Sequence, residues 1–372
     1  MKAGASRMTA RVPAGLLGML AIVAAVETGV ARAWESITDC GAFSWRLTAD
    51  AVGTDAVNRA AVLCFGDSLA KHGLVPEVLA PGGRAYNLAS AGSPAAWTYF
   101  VLRRAVEAGA TPEAVVVEFK PALLSGSPKY GIRLLPEVLT PRETVELLSV
   151  VRSVRFASEL LVGLALPSVR ARHDLRAAVR SAVRGERPVA ADVNAVCRRH
   201  WTRHDGAMLS PRIPGFAGAV DEAQHRSLLS HRFTLHRINA EFVRRTLDFA
   251  AARGLRTYLL VPPDIPEATV RRAETGADAD YERYLGALAA RYPTVTVLDA
   301  RGSAYPAVAF ADYTHLNRYG AVTLSADVGA ALRAGHPPGG RVRLPAYREL
   351  PQPPAVEDFE ESRVALGITW RR

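Results

Sequence analysis

AAVLCFGDSLAKHG, residues 60–73, passes from an apolar, strand-like run through Gly66-Asp67-Ser68 directly into helix-like sequence. A strand that turns this sharply into a helix is the unit of a parallel α/β sheet. In such sheets ligands gather at the carboxyl ends of the strands, where Ser68 would stand. Gly66 permits the tight turn, and the first N–H groups of the following helix point toward any negative charge that develops beside Ser68. The plainer reading makes Ser68 an ordinary helix cap.

The chain on either side repeats this unit. AAVLCFG (60–66), RAYNLAS (84–90), EAVVVEF (113–119), LRTYLLVPP (255–263) and TVTVLD (294–299) are short runs rich in β-branched or aromatic residues. Helical periodicity follows over 94–109, 231–253, 278–291 and 318–333. Near-continuous apolar strands alternating with helices predict a parallel sheet of about five strands covered on both faces. Residues 34–58 read as a linker. An insertion over 125–230 opens with a capping box, Thr140-Pro141-Arg142-Glu143, and continues as helices over 141–163 and 168–184. RARHDLRAAVRSAVRGER (170–187) is strongly basic. It reads either as a solvated face or as part of a cap over the site that also faces anionic lipid. The tail, 335–372, rich in Pro and Arg, reads as an irregular extension.

The 372 residues suffice for a full core, and 49% of them are apolar. The net charge of +10 comes almost wholly from Arg, since the only lysines are Lys2, Lys71, Lys120 and Lys129. No finger, RNP-like or basic-aromatic pattern accompanies it, so nucleic acid is not an expected partner. At the N-terminus Lys2, Arg7 and Arg11 precede VPAGLLGMLAIVAAV (12–26), then Glu27 and Ala31-Arg32-Ala33. Residues 1–33 therefore read as a signal peptide cleaved at A-x-A, or as an uncleaved anchor reaching Trp34 with its basic end in the cytoplasm. Both place the remainder outside the cytoplasm, in the periplasm or cell envelope. Cys64 reads as core, while Cys40 and Cys197 are candidates for one disulfide.

FADYTHLNRYGA (310–321) sets Asp312 and His315 three residues apart just before a helix. Together with FGDSL and NLASAG (87–92), this segment resembles the blocks of the SGNH (GDSL-type) hydrolase family, over about 60–122 and 254–333. The resemblance implies a flavodoxin-like α/β/α sandwich formed by 34–124 and 231–334. It also implies a Ser68–His315–Asp312 triad and an oxyanion hole made by the N–H groups of Ser68 and Gly92. A Ser hydroxyl needs a base to take its proton as it attacks, which suits His315; Asp312 would orient the ring.

The family's third block carries an Asn after the third strand, and here VVVEFKPALL (115–124) puts Ala122 in that position. Three readings follow: Lys120 substitutes as a cationic donor, two backbone donors suffice, or hydrolysis has given way to binding or transfer. Membrane-anchored relatives that handle acyl groups on envelope polymers also end this strand in a proline-containing turn. Glu118 and Lys120, on one side of the strand, are candidates to pair with each other. Cys197, His200 and His204 have a spacing that would suit zinc, though a surface helix is the simpler reading. His72 sits one turn after Ser68, on a helix face or in the cleft. Pro262-Pro263-Asp264 ends the fourth strand at the same rim, and His225, His231 and His236 show no motif. The expected activity is hydrolysis of a small-molecule or glycan acyl ester (carboxylesterase or deacetylase), or transfer to a sugar hydroxyl, without metal or organic cofactor. The alternative is a non-catalytic envelope protein that binds glycan or scaffolds a partner in the same cleft.

Overall fold

Six parallel strands make the central sheet in the computed structural model, which describes residues 14–82, 84–127, 133–186, 189–221, 232–336, 338–353 and 355–369. Lys2, Arg7, Arg11, Lys129, His225 and His231 lie outside these. The strands are β1 Val62–Phe65, β2 Ala85–Asn87, β3 Ala114–Glu118, β4 Arg256–Val261, β5 Val295–Asp299 and β6 Arg341–Arg343. Their order is β2-β1-β3-β4-β5-β6, the doubly wound arrangement with one strand added at the edge.

Successive side chains of a strand point to opposite faces, and the core divides accordingly. Leu63, Phe65, Val115, Val117, Leu259 and Val297 pack on one face beneath helices Ala95–Glu107, Arg237–Ala252 and Ala277–Arg291. Val62, Cys64, Val116, Tyr258, Leu260 and Leu298 pack on the other beneath helix Arg318–Ala334. The result is a three-layer α/β/α sandwich.

Three expectations are corrected. The sheet has six strands, because residues 341–343 of the supposed irregular tail pair with Val297, Leu298 and Asp299 of β5. Arg341 closes that edge by reaching the carboxylates of Glu282 and Asp299. The supposed linker is helical: Asp39 caps helix Cys40–Ala51, accepting from Ala42 N–H at 2.9 Å, and the helix buries Phe43 and Trp45. The single helices expected over 141–163 and 168–184 are each broken. Helices Pro141–Val150 and Val154–Ala165 meet at a Ser153 cap, and the second region divides into Pro167–Arg170 and Arg172–Val183. The capping box at Thr140 and Glu143 does form.

Among its described residues, the insertion packs as helices beside the sandwich rather than over the cleft. Most of its described helices from 135 to 203 pack against the Ala14–Arg32, Trp34–Ile37 and Cys40–Ala51 helices and the tail helix Phe359–Ala365, while helix Pro141–Val150 is tied through Glu143 and Glu146 to Arg103, Arg104 and Arg245 of the sandwich helices. Among the described residues its exit, residues 205–221, touches the catalytic rim. There Arg318 N–H donates to Ser210 O at 2.9 Å, and buried Lys71 donates to Gly206 O at 2.8 Å while lying over the Trp201 ring.

The N-terminal helix Ala14–Arg32 is long and apolar enough to cross a membrane and is largely unburied. Its last turns are packed on the body. Val30 and Trp34 are buried, Ala33 N–H donates to Gly29 O at 2.9 Å, and Glu27 accepts from both the N–H and the hydroxyl of Ser168, at 2.7 and 2.5 Å. The Ala31-Arg32-Ala33 segment therefore sits at a helix end that is tied to the body on both sides.

Candidate active site

The carboxyl ends of β1 and β3 form the switch point of the sheet, from which connections leave to opposite sides. β1 ends at Phe65, and Gly66 adopts a φ of 148° directly against β3. A Cβ at position 66 would lie 2.8–2.9 Å from atoms of Glu118, so only glycine fits. Asp67, rather than Ser68, caps the short helix Ser68–Gly73, accepting from Leu69 N–H at 2.7 Å. The Ser68 hydroxyl is thereby left free.

From the far end of the chain, residues 310–317 deliver the imidazole. Phe310 and Leu316 bridge antiparallel, and Ala311 N–H donates to His315 O at 2.8 Å, closing the Asp312–His315 loop. Asn317 then clips the loop to helix Arg318–Ala334. Its amide donates to Val308 O at 2.8 Å and Phe310 O at 3.2 Å, and its oxygen caps Tyr319 and Gly320. His315 Nε2 stands 2.7 Å from Ser68 Oγ, and His315 Nδ1 stands 2.7 Å from Asp312 Oδ2. An ionised carboxylate only accepts, so Nδ1 carries the proton and Nε2 accepts from the Ser68 hydroxyl. Asp312 Oδ1 accepts the N–H groups of Thr314 and His315, both at 2.8 Å. Partial burial alone would raise this carboxyl. The hydrogen bond and charge of His315, with the two backbone donors, outweigh it and hold Asp312 at about 2.

Gly92 lies on the turn after β2, which is lashed to the nucleophile strand. Ser90 N–H and the Ser93 hydroxyl donate to Gly66 O at 3.0 and 2.8 Å. Gly92 adopts a φ of 68°, the left-handed conformation glycine tolerates best. Among the described residues neither the Ser68 nor the Gly92 N–H has a backbone partner. Two stacked tryptophans brace the turn. Trp45 donates to Ala91 O at 2.8 Å and Trp97 to Ser90 Oγ at 3.0 Å, with 5.3 Å between ring centroids. Trp45 belongs to the stretch read as a linker, so no sequence signal marked it.

Glu118 and Lys120 do not pair. Glu118 is 1% exposed and turns inward, accepting Asp67 N–H at 3.0 Å. Burial, then the neighbouring Asp67 carboxylate, raises its carboxyl well above the usual range. A buried acid ending an otherwise apolar strand was the visible clue. Lys120 turns outward to the catalytic loop, its ammonium donating to Thr314 Oγ1 at 3.0 Å.

His72 lines the site. Its ring centroid lies 5.0 Å from that of His315 and its Nδ1 lies 3.2 Å from Ser210 Oγ. Burial, then the positive charge His315 can carry, pushes the His72 imidazole down to about 3. Asp264, at the β4 rim, is taken up by Arg272 at 2.8 Å. His236 caps helix Arg237–Ala252, its Nδ1 accepting from Ile238 N–H at 3.3 Å.

The surface helix expected for Cys197, His200 and His204 is instead buried at all three positions. His200 accepts Leu209 N–H at 2.9 Å and reaches Ser362 Oγ at 2.8 Å, while His204 faces Glu77, so their partners differ. Cys197 Sγ lies 3.9 Å from Cys40 O, and both residues are free thiols. No family model matches the chain, and no curated protein matches it.

Proposed function

We propose that the chain is a serine-dependent acyl-ester hydrolase or acyltransferase of SGNH type, held at the outer face of a membrane by its N-terminal helix. The observation that carries this reading is the unbroken Ser68–His315–Asp312 chain at the sheet's switch point. Ser68 Oγ attacks an ester carbonyl as His315 Nε2 takes its proton. The oxyanion then forms against the Ser68 and Gly92 N–H groups. His315 returns the proton to the departing alcohol, leaving an acyl group on Ser68. Water or a sugar hydroxyl, deprotonated by the same imidazole, attacks that acyl group and restores the serine. The Asp312 carboxylate stabilises the imidazolium formed in each half. No step calls on a metal or organic cofactor, and the substrate class is a small-molecule or glycan acyl ester. The basic residues ahead of the apolar helix suit an anchor with its N-terminus in the cytoplasm and the catalytic body outside it.

A fluorophosphonate should label wild-type protein at Ser68, and p-nitrophenyl acetate should be turned over. Ser68→Ala should abolish both while leaving the circular dichroism spectrum unchanged. A folded wild-type protein that neither labels nor hydrolyses short acyl esters overturns the enzyme reading in favour of a non-catalytic glycan-binding or scaffolding role.

A further inference from the structure

We infer that helix Arg172–Val183 and the end of helix Val154–Ala165 lie in the interface of an anionic bilayer beside the N-terminal helix, an inference that rests on that helix being the anchor. The argument begins with length. Ala14 to Val26 covers about 20 Å at ~1.5 Å per residue, whereas a hydrocarbon core is about 30 Å thick. The whole 19-residue helix is needed to cross it. The bilayer surface then falls near Arg32, and Glu27, about 8 Å below it at ~1.5 Å per residue, marks the interfacial depth at which the insertion is attached. Glu27 is joined to Ser168 of the Pro167–Arg170 segment, and that segment contacts both the Val154–Ala165 and Arg172–Val183 helices.

The attached helices carry the pattern of an interfacial element. Helix Arg172–Val183 has no buried residue. Arg172, Arg176 and Arg180 recur every fourth position along one stripe, continued by Arg184 just beyond the helix. Leu175, Val179 and Val183 form a second stripe beside it. Val179 is 53% and Val183 82% exposed, and Leu161 and Val162 are exposed near the end of the neighbouring helix. Among the described residues no carboxylate pairs with Arg172, Arg176 or Arg180. In water this arrangement exposes apolar surface and leaves cations uncompensated. In an anionic interface the valines enter the acyl boundary, and the guanidinium groups reach the headgroups on their long stems. The docked insertion also fixes the orientation of the catalytic body, because its helices pack on Cys40–Ala51, whose Trp45 braces the Gly92 turn.

The test uses the full chain in nanodiscs of phosphatidylglycerol and phosphatidylcholine. A fluorescent amino acid is placed singly at Leu17, Val179, Val183 or Val364, and brominated acyl chains serve as quencher. Quenching is expected at Leu17, Val179 and Val183 and not at Val364, which is exposed on the tail helix. Neutralising Arg172, Arg176 and Arg180 to Gln should shift the docking equilibrium by about a hundredfold, removing quenching at 179 and 183 while 17 stays quenched. Quenching at 17 without quenching at 179 or 183 overturns the interfacial helix and leaves the anchor standing. Loss of quenching at 17 as well overturns both. Quenching at 179 and 183 that vanishes when a dimer is diluted to monomer assigns the surface to a second copy and overturns the proposal.

Discussion

Two carboxyl groups flank the catalytic oxygen, and the protein treats them in opposite ways. Asp312 sits on the loop between Phe310 and Leu316, half exposed, with an imidazole and two backbone N–H groups turned toward it. Glu118 sits on the floor beneath Gly66, buried, with one backbone donor and another carboxylate for company. Donors favour the charged form and desolvation the neutral one, so the loop acid is held low, at about 2, while the floor acid is pushed up toward its protonated form. Ionised acid close to the moving proton stabilises the imidazolium. Neutral acid under the nucleophile holds the turn without adding a second negative charge beside the developing oxyanion.

The sharpest way to break this contrast is to remove the charge at Asp312. An Asp312→Asn side chain keeps the shape and can donate to His315 Nδ1, favouring the tautomer with the proton on Nε2, where it can no longer accept from Ser68. We expect kcat to fall by about ten-thousandfold with little change in melting temperature. A loss smaller than tenfold in ester hydrolysis would mean that another group orients the imidazole.

These two acids show what the sequence makes legible. Asp312 and His315 stand three positions apart on a loop closed by local hydrogen bonds, so their spacing together with the family resemblance made their partnership legible. Ser68 follows from the strand–turn–helix pattern. Glu118 was visible as an acid in an apolar strand, but its partner Asp67 is far away in sequence, and the side chain's inward turn depends on the absence of a Cβ at Gly66. The Trp45 brace and β6 were hidden for related reasons. Trp45 acts on a turn 46 residues away. β6 is a three-residue edge strand whose flanking arginines are solvated, which leaves Val342 as its sole apolar signal. The insertion was left between a solvated face and a cap because periodicity gives a helix its faces but not its neighbours.

Lys120 links the two regions, since it leaves the strand that carries Glu118 and bonds the loop that carries Asp312. Its ammonium should hold Thr314, between the two triad partners, at the height that keeps His315 over Ser68. Lys120→Ala is expected to lower kcat/KM between about tenfold and a hundredfold, the range for losing a hydrogen bond from a charged group. Steady-state kinetics on a short ester would check this, and a rate within twofold of wild type would leave Lys120 as a surface tether only. Lys120→Arg should recover part of the loss if reach to Thr314 is what matters.

The smallest effect on rate, and the most diagnostic of the floor acid, belongs to Glu118→Gln. A glutamine reproduces the neutral carboxyl: its oxygen accepts from Asp67 N–H, and its amide donates toward Asp67 Oδ2, which is buried and otherwise unpartnered. Turnover should stay within about tenfold of wild type, whereas Glu118→Ala, which leaves a void and an unanswered Asp67 N–H, should cost about 2–4 kcal/mol in stability. The difference between wild type and Glu118→Gln should depend on pH. Below about 4.3, the ordinary Glu value, both folded and unfolded chains hold the Glu118 proton, so the residue adds no pH dependence. Above that, the unfolded chain releases the proton while the folded chain keeps it, and wild type loses stability progressively until pH reaches the raised folded value. The glutamine variant lacks this term, so its melting temperature relative to wild type should rise as pH climbs above the ordinary Glu value. Melting curves that stay parallel above that value would mean Glu118 is ionised in the folded protein, and the contrast with Asp312 would fail.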